Sequence, residues 1–600
     1  MSCKEIVVQF NKLSHNLSTE LTKSLLKIQE LSKSQKTGKE LISEGVVFGI
    51  MRLISFPENP HTKVLCDIIA ELAKINEDTR TTLAVSGVFP FLFTQIEDEN
   101  PEIVKLATRA LANLAFQHCD NSEEISKGDL LEKILLAIKK FKTDPELVRV
   151  CVGLILNLSD DSEEFQILVG QSNGIEIICS FLDTEHELVL SVVMRALIAL
   201  VESVENIPYL GKIEIINNLK NLIKTKQDEI QEMAADLLLT ISSNEKCKQL
   251  LLTKEFIQEC IDLFKLDLLT NTKEYIIKLL SYIALSNFGM NTSLEKGSIK
   301  LVKEFISSPT FEISLASAMW LANLIRTDES CVSLMDSEVL SCLKKLVQNK
   351  NTKISILIIG ILRNFAIPEE NKPKFYDDPE IIDLILQSIE HEDLRIQDHA
   401  CSCLRLLSTC KKLTQMLLER GVIDKLLKQV FSDEVQRIQY SASRALNNII
   451  FNINDEETLG SIVEKEGAAA MFLLLESQFG VFRKEAAMVF NKFSNFEKLS
   501  IKIINNENLT VKMINDIFSS EDSSVLEPFC LGLKKFLENK LFFEKISDKS
   551  IIVSLIRLKD NLTISQEVVS IVLELLEIFE NENEKGKENV IKMDNEISLI

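Results

Sequence analysis

Glycine and proline are scarce in this 600-residue chain, at 18 and 11, and tryptophan occurs once. So few turn-formers leave little material for β-hairpins or for glycine-bent active-site loops, and the composition suits helix nearly throughout. No run of about 18 charge-free apolar residues occurs, which argues against a membrane-spanning helix. The opening MSCKEIVVQFNKLSH lacks the apolar core of a signal peptide. The 13 cysteines form no Cys-x-x-Cys pair and are spread through apolar stretches, as at Cys66, Cys151 and Cys179, so they read as buried free thiols of a reducing compartment. The expectation is a cytosolic chain with no direct membrane insertion. Positive charge is in the minority, and the formal net charge of -22 argues against wrapping nucleic acid, which needs clustered Lys and Arg. An acidic balance fits a basic partner, or simply the solubility of a long apolar-rich chain.

Signatures of chemistry are missing as well. The chain contains no GxGxxG, no GxxxxGK[ST] phosphate loop, no GxSxG and no HExxH. His391 and His399 lie near Cys401 and Cys403, but a packed thiol pair beside solvated imidazoles explains them better than a metal site does. No nucleophile, base and orienting group can be assembled. The expectation is a binding protein with no enzymatic activity of its own, no cofactor and no metal.

What is present is a repeat. An apolar helix ending in Leu-x-Asn-Leu or a close variant, followed by a polar turn, recurs from IAELAKINED at Ile69 through LANLAFQHCD at Leu111, ILNLSDDSEE at Ile155, LANLIRTDES at Leu321, LRNFAIPEEN at Leu362 and LNNIIFNIND at Leu446 to LKKFLENKLF at Leu533. Successive starts lie about 42 residues apart, within the spacing of armadillo and HEAT repeats. Between them stand segments with Gly ahead of an apolar residue, at Gly87, Gly174, Gly297 and Gly421, each expected to supply a left-handed position between a short helix and the next, as in the armadillo form. The predicted fold is all-α, an armadillo-repeat right-handed α-solenoid of about 12–13 units. The expected divisions are an N-terminal helical cap over 1–40, the solenoid over 41–578 and a polar, disordered tail over 579–600.

In armadillo folds the third helix of each unit lines an inner groove, and the Asn of Leu-x-Asn-Leu is its polar residue. It recurs as Asn113, Asn157, Asn323, Asn364 and Asn448. A row of amides can clamp a partner's extended backbone without reading side chains. Alternatively, each Asn bonds neighbouring backbone and holds the repeats together. Residues four before and three after it share its helical face. They include Asp67, Glu71, Glu202 and Asp236 in the N-terminal half, diluted by Arg109, Arg195 and Lys278, and Arg326, Arg444 and Lys492 in the C-terminal half. The expected groove is acidic at first and mixed or basic later.

Several strings, among them IIAELAKINEDTR at Ile68, TRALANLAFQ at Thr108, LANLIRTDESCVSLMD at Leu321 and above all ILRNFAIPEENKPK at Ile361, resemble the small-G-protein GDP-dissociation stimulator family, in that family's order. The resemblance implies a cytosolic chaperone and atypical exchange factor for Rho- and Rap-type small GTPases with polybasic, prenylated tails. It implies a GTPase-binding groove at Asn323, Arg326 and Asn364, to which Asn448 is added as the next Asn of the ladder. The acidic stretch with Asp67, Glu71, Asn113, Asn157, Glu202 and Asp236 would then face the basic tail. Two alternatives are a nuclear import adaptor of the importin-α kind and a cytoskeletal or adhesion scaffold. The first needs Trp four residues before the Asn, whereas Trp320 lies three before Asn323 and Met319 holds the four-before place.

Overall fold

The computed structural model describes the chain except for residues 1, 16, 57–58, 161, 433–434 and 598–600, and describes the side chains as far as residue 581. Among the described residues the regular structure is α-helix with two short 3-10 turns and no strand. The chain divides into two compact units, Met1–Ser298 and Ile299–Ile600.

The repeated strings all end third helices of armadillo units. In the first unit these are Thr62–Ala73, Pro101–Ala115, Pro145–Ser159, Glu187–Leu200, Asp228–Ser243 and Thr270–Ile283. In the second they are Phe311–Leu324, Thr352–Phe365, Leu394–Leu407, Gln436–Asn452, Gly480–Phe493 and Ser523–Phe536, followed by Gln566–Ile597 as the degenerate last copy. The armadillo-type solenoid read from the sequence is thus the fold of the chain. The tail predicted over 579–600 falls mostly on side chains outside the described residues.

Local sequence fixes where the helices start. Asn100-Pro101-Glu102, Asp144-Pro145-Glu146 and Asp378-Pro379-Glu380 repeat one device. Asn100 accepts from the Glu102 N–H, Asp144 from Glu146 and Leu147, and Asp378 from Ile381, while proline takes the first turn, where no N–H is required. Helix ends are closed by side chains from the following helix. The Asn121 amide donates to the Leu114 carbonyl at 2.8 Å, Gln166 to Ser159 at 2.8 Å, and Asn206 to Leu200 at 2.8 Å, all buried. In the second unit Asn371 bridges the Cys331 and Phe365 carbonyls, each at 3.1 Å. These bonds satisfy carbonyls that a helix terminus would otherwise strand in the core.

Three of the four glycines singled out in the sequence take the expected left-handed backbone: Gly87, Gly297 and Gly421. The fourth does not. At Asn173-Gly174 it is Asn173 that turns left-handed, with φ 60°, and Gly174 begins the next helix. Close approach is what requires glycine there, because a Cβ would lie 2.8 Å from the Val169 carbonyl oxygen and 2.6 Å from its Cγ1.

The core is a continuous apolar seam within each unit. In the second unit it becomes aromatic toward the C-terminus, where Phe490 stacks on Phe529 and meets Phe536 edge-on, both at 4.7 Å between centroids. The single Trp320 is fully buried. It therefore cannot present the exposed aromatic slot of an import adaptor. Ten of the 13 cysteines are buried free thiols as expected, while Cys119 is exposed and Cys3 and Cys410 are half-exposed.

Candidate partner-binding ladder

The polar residues of the third helices form a stitched row. Asn113 Nδ2 donates to the Ala70 carbonyl at 2.8 Å, and Asn157 Nδ2 to Ala112 at 2.8 Å. Asn448 Nδ2 reaches Arg405 O at 3.1 Å and Ser408 Oγ at 3.2 Å, and Asn364 Nδ2 reaches Ile325 O at 3.5 Å. Each bond crosses to the third helix one repeat earlier, within a single unit. Lys492 holds the ladder position of its own helix and extends the pattern with an ammonium, donating to the Phe451 carbonyl at 2.5 Å. For these residues the N–H side of the amide holds adjacent repeats together. What remains for a partner is the carbonyl side, and at Asn364 that too is engaged, because the Arg363 guanidinium donates to Oδ1 at 2.7 and 3.2 Å. Asn323 sits half-buried one repeat before Asn364 and has its own contacts.

The acidic residues of the first unit divide into two kinds. Asp67 and Glu71 share Arg109, which reaches across from the next third helix; its Nη2 lies 3.1 Å from Glu71, and it also bonds Asp67. Asp67 further accepts from Gln29 at 2.6 Å, and Glu71 pairs with Lys74 at 2.9 Å. Both carboxylates are mostly covered, so this part of the face is internally neutralised. Asp236 and Glu202 carry no ion pair among the described residues. Asp236 is held above the ordinary carboxylate range by burial and by the neighbouring Glu232, against which Lys278 acts only weakly. Its own burial, and then the acids Asp236, Glu232 and Glu274, raise the Tyr275 phenol.

Arg326 and Glu202 were placed three residues beyond the ladder position on the same helical face. The helices end first, at Leu324 and Leu200, so both residues lie exposed in the following turn instead.

The side chains that the sequence reading passed over are the cations one residue before the ladder position. Arg363 and Arg405 occupy this place in successive third helices of the second unit, and Arg444 lies on the next. Arg444 makes a two-point bond to Glu485, at 2.6 and 2.7 Å, and lies over the Phe482 ring at 4.8 Å. Neither Arg363 nor Arg405 has a carboxylate partner among the described residues. Burial, Arg444 and Arg363 depress the Arg405 pKa. His399, 3.4 Å from Arg363 through Nδ1, is lowered by burial and by that arginine. The signal was available as basic residues one position off the expected face, in RNFA and RLLS, but strict helical spacing discarded it.

Burial pushes the thiols of Cys66, Cys151, Cys260 and Cys530 up to about 12, which makes them poor nucleophiles. Among the described residues no group of three or more His, Cys, Asp or Glu is arranged to hold a metal ion. No helix among them is long and apolar enough to cross a membrane.

No protein-family profile matches the chain. Characterised relatives do, and two of them are GDP dissociation stimulators. The Rap1 GTPase-GDP dissociation stimulator 1-A of Xenopus laevis is 20% identical over 494 residues, covering 78% of this chain and 81% of the relative. The 1-B form of the same species is 20% identical over 522 residues, covering 83% and 85%. Among solved structures, an engineered protein aligns with a TM-score of 0.59 at 19% identity, over 67% of this chain and 98% of its own. A chain solved in work on a phosphorylation switch controlling the interaction between cadherin and beta-catenin aligns at 0.65 and 13%, over 74% and 94%. The structural likenesses are to armadillo-repeat proteins and bear on fold alone. The sequence likeness to the GDP-dissociation stimulators, first seen in short strings, extends over about four-fifths of both chains.

Proposed function

We propose that this protein binds small GTPases and stimulates release of their GDP, acting as an atypical, non-enzymatic exchange factor and chaperone in the cytosol. The observation that carries the reading is the relation, over about four-fifths of the chain, to two Rap1 GTPase-GDP dissociation stimulators. No catalytic side chain is needed. A protein that binds the GTPase better when its nucleotide site is distorted lowers nucleotide affinity by differential binding of two states. The preferred clients are Rho- and Rap-type GTPases with basic, prenylated tails. Removing a prenyl chain from water gains about 0.8 kcal/mol per CH₂, enough for a solenoid with an apolar crevice to compete with a membrane.

In this reading the GTPase body contacts the face carrying Asn323, Arg326, Asn364 and Asn448. Arg326 is the residue of that set most exposed to a partner, since the three Asn side chains are half-buried. The basic tail meets the first unit. There Glu202 and Asp236 are its strongest anchors, and Asp67 and Glu71, already joined to Arg109, contribute less; Asn113 and Asn157 offer amide carbonyls along the same path. A cationic tail would relieve the repulsion between Asp236 and Glu232.

The test is release of labelled GDP from a panel of prenylated and unprenylated small GTPases, with pull-down of each. Arg326→Glu combined with Asn364→Ala is expected to weaken GTPase binding at least tenfold. Arg326→Glu alone, in an exposed turn, separates that effect from any loss of fold. Unchanged capture of every GTPase tested would overturn the assignment.

A further inference from the structure

The net charge of the chain is -22, yet one part of the second unit's ladder face carries more guanidinium than carboxylate. Arg363, Arg405 and Arg444 stand on the consecutive third helices Thr352–Phe365, Leu394–Leu407 and Gln436–Asn452. Their only ion-paired partner among the described residues is Glu485, which Arg444 takes. The neighbouring acid, Asp398, belongs to Arg437. Several other third-helix cations are matched by carboxylates within the fold: Arg109 by Asp67 and Glu71, Arg195 by Glu229, and Lys278 by Glu274. Arg405 is half-buried, and among the described residues its guanidinium makes no hydrogen bond. Holding a partly desolvated cation beside two others is costly without an anion.

Beside Arg444 the same face opens into an aromatic pocket. Tyr440, Phe479 and Phe482 pack with centroids 5.2 to 6.5 Å apart around a cavity of about 310 Å³ that Arg444 and Arg437 also line. Phe479 is 59% exposed. An aromatic cluster with one exposed ring, on the helices that follow those of the unmatched Arg363 and Arg405, is the chemistry of a hot spot awaiting a side chain with an apolar end.

We infer that this face binds an extended acidic segment of a protein partner, with carboxylates on Arg363 and Arg405 and an apolar side chain in the Tyr440–Phe479–Phe482 pocket. A protein segment fits better than a polyanion, because the overall negative charge opposes long phosphate arrays and the aromatic pocket requires an apolar group. Adjacent third helices lie about 8–10 Å apart. An extended polyproline-type segment rises about 3.1 Å per residue with three residues per turn, so acids three apart meet successive arginines from one side. Guanidinium is suited to two-point carboxylate recognition. The inference does not depend on the partner being a GTPase.

The experiment uses fluorescence anisotropy at low salt with the full chain. The probe is a labelled ten-residue peptide carrying Glu at every third position, with Leu and Pro between. Controls are the same peptide with Lys for Glu, a permuted peptide with its acids adjacent, and inorganic phosphate as competitor. The spaced acidic peptide is expected to bind, the Lys version not to bind, and the permuted one to bind at least fivefold more weakly. Arg405→Gln should weaken binding tenfold or more, Arg405→Lys less, and Phe479→Ala severalfold, while Arg149→Gln in the first unit leaves it unchanged. Circular-dichroism melts confirm that each variant is folded. Equal binding by wild type and a folded Arg405→Gln, no binding of the acidic peptide, or full displacement by millimolar phosphate would overturn the inference.

Discussion

Replacing Asn113 by alanine removes the N–H that spans from Pro101–Ala115 to the Ala70 carbonyl, 2.8 Å away and 43 residues earlier. Ala70 is fully buried. At the end of its helix the Lys74 N–H turns to the Glu71 and Leu72 carbonyls instead, so the amide of Asn113 supplies what the helix does not. Leaving a buried acceptor unsatisfied costs about 1–3 kcal/mol. Alanine's better helix propensity returns up to about 0.7 kcal/mol. A net loss of about 1–2 kcal/mol corresponds to a factor of about 5–30 in a local opening equilibrium. In a solenoid the loss is confined to the repeats that share the bond. Native-state hydrogen exchange followed by mass spectrometry is therefore expected to show protection falling by that factor in Thr62–Ala73 and Pro101–Ala115, with Gly480–Phe493 unaffected. Unchanged protection in both helices, together with loss of partner binding, would refute the reasoning and return Asn113 to the role of a partner clamp.

Two further outcomes follow from side chains at odds with their surroundings. Asp236 has a folded-state pKa above its ordinary 3.8, so the folded chain binds more protons than the unfolded one between those values, and stability falls as pH rises through that interval. Asp236→Asn should remove this loss, raising the melting temperature at pH 7 but not at pH 3, while weakening capture of a Lys-rich peptide; equal melting shifts at both pH values would contradict it. Asn447 is 1% exposed, and neither amide atom has a hydrogen-bond partner among the described residues. Asn447→Leu should stabilise the second unit by about 1–3 kcal/mol in urea unfolding, and a destabilised variant would contradict this.

The repeat was legible because its signal is physical at every copy: an apolar stripe, a polar stop and a constant spacing, as in LANLAFQ and LRNFAI. The site was legible in type more than in role. Asn113 and Asn157 were recognised as polar residues of a packed helix, but a single sequence does not say which end of an amide meets backbone and which meets solvent. Asp67 and Glu71 read as an acidic surface because Arg109 is 42 and 38 residues away, and their pairing exists only once two repeats stack. Arg405 was missed for the converse reason, since it sits one residue off the expected stripe and is distinguished only by lacking a carboxylate partner among the described residues. At Asn173-Gly174 the glycine was noticed, but the left-handed turn belongs to its neighbour, because steric crowding against Val169 and backbone conformation leave the same mark in a sequence.

The ladder bonds have a direction in time. Asn113, Asn157, Asn448 and Lys492 all donate to carbonyls 41 to 45 residues nearer the N-terminus. During synthesis those acceptors leave the ribosome first. Each new third helix thus finds its partner already emerged and in place, and its lateral bond waits on nothing still to be translated. Such a chain can consolidate repeat by repeat behind the advancing ribosome, with only the newest apolar stripe open to solvent at any moment.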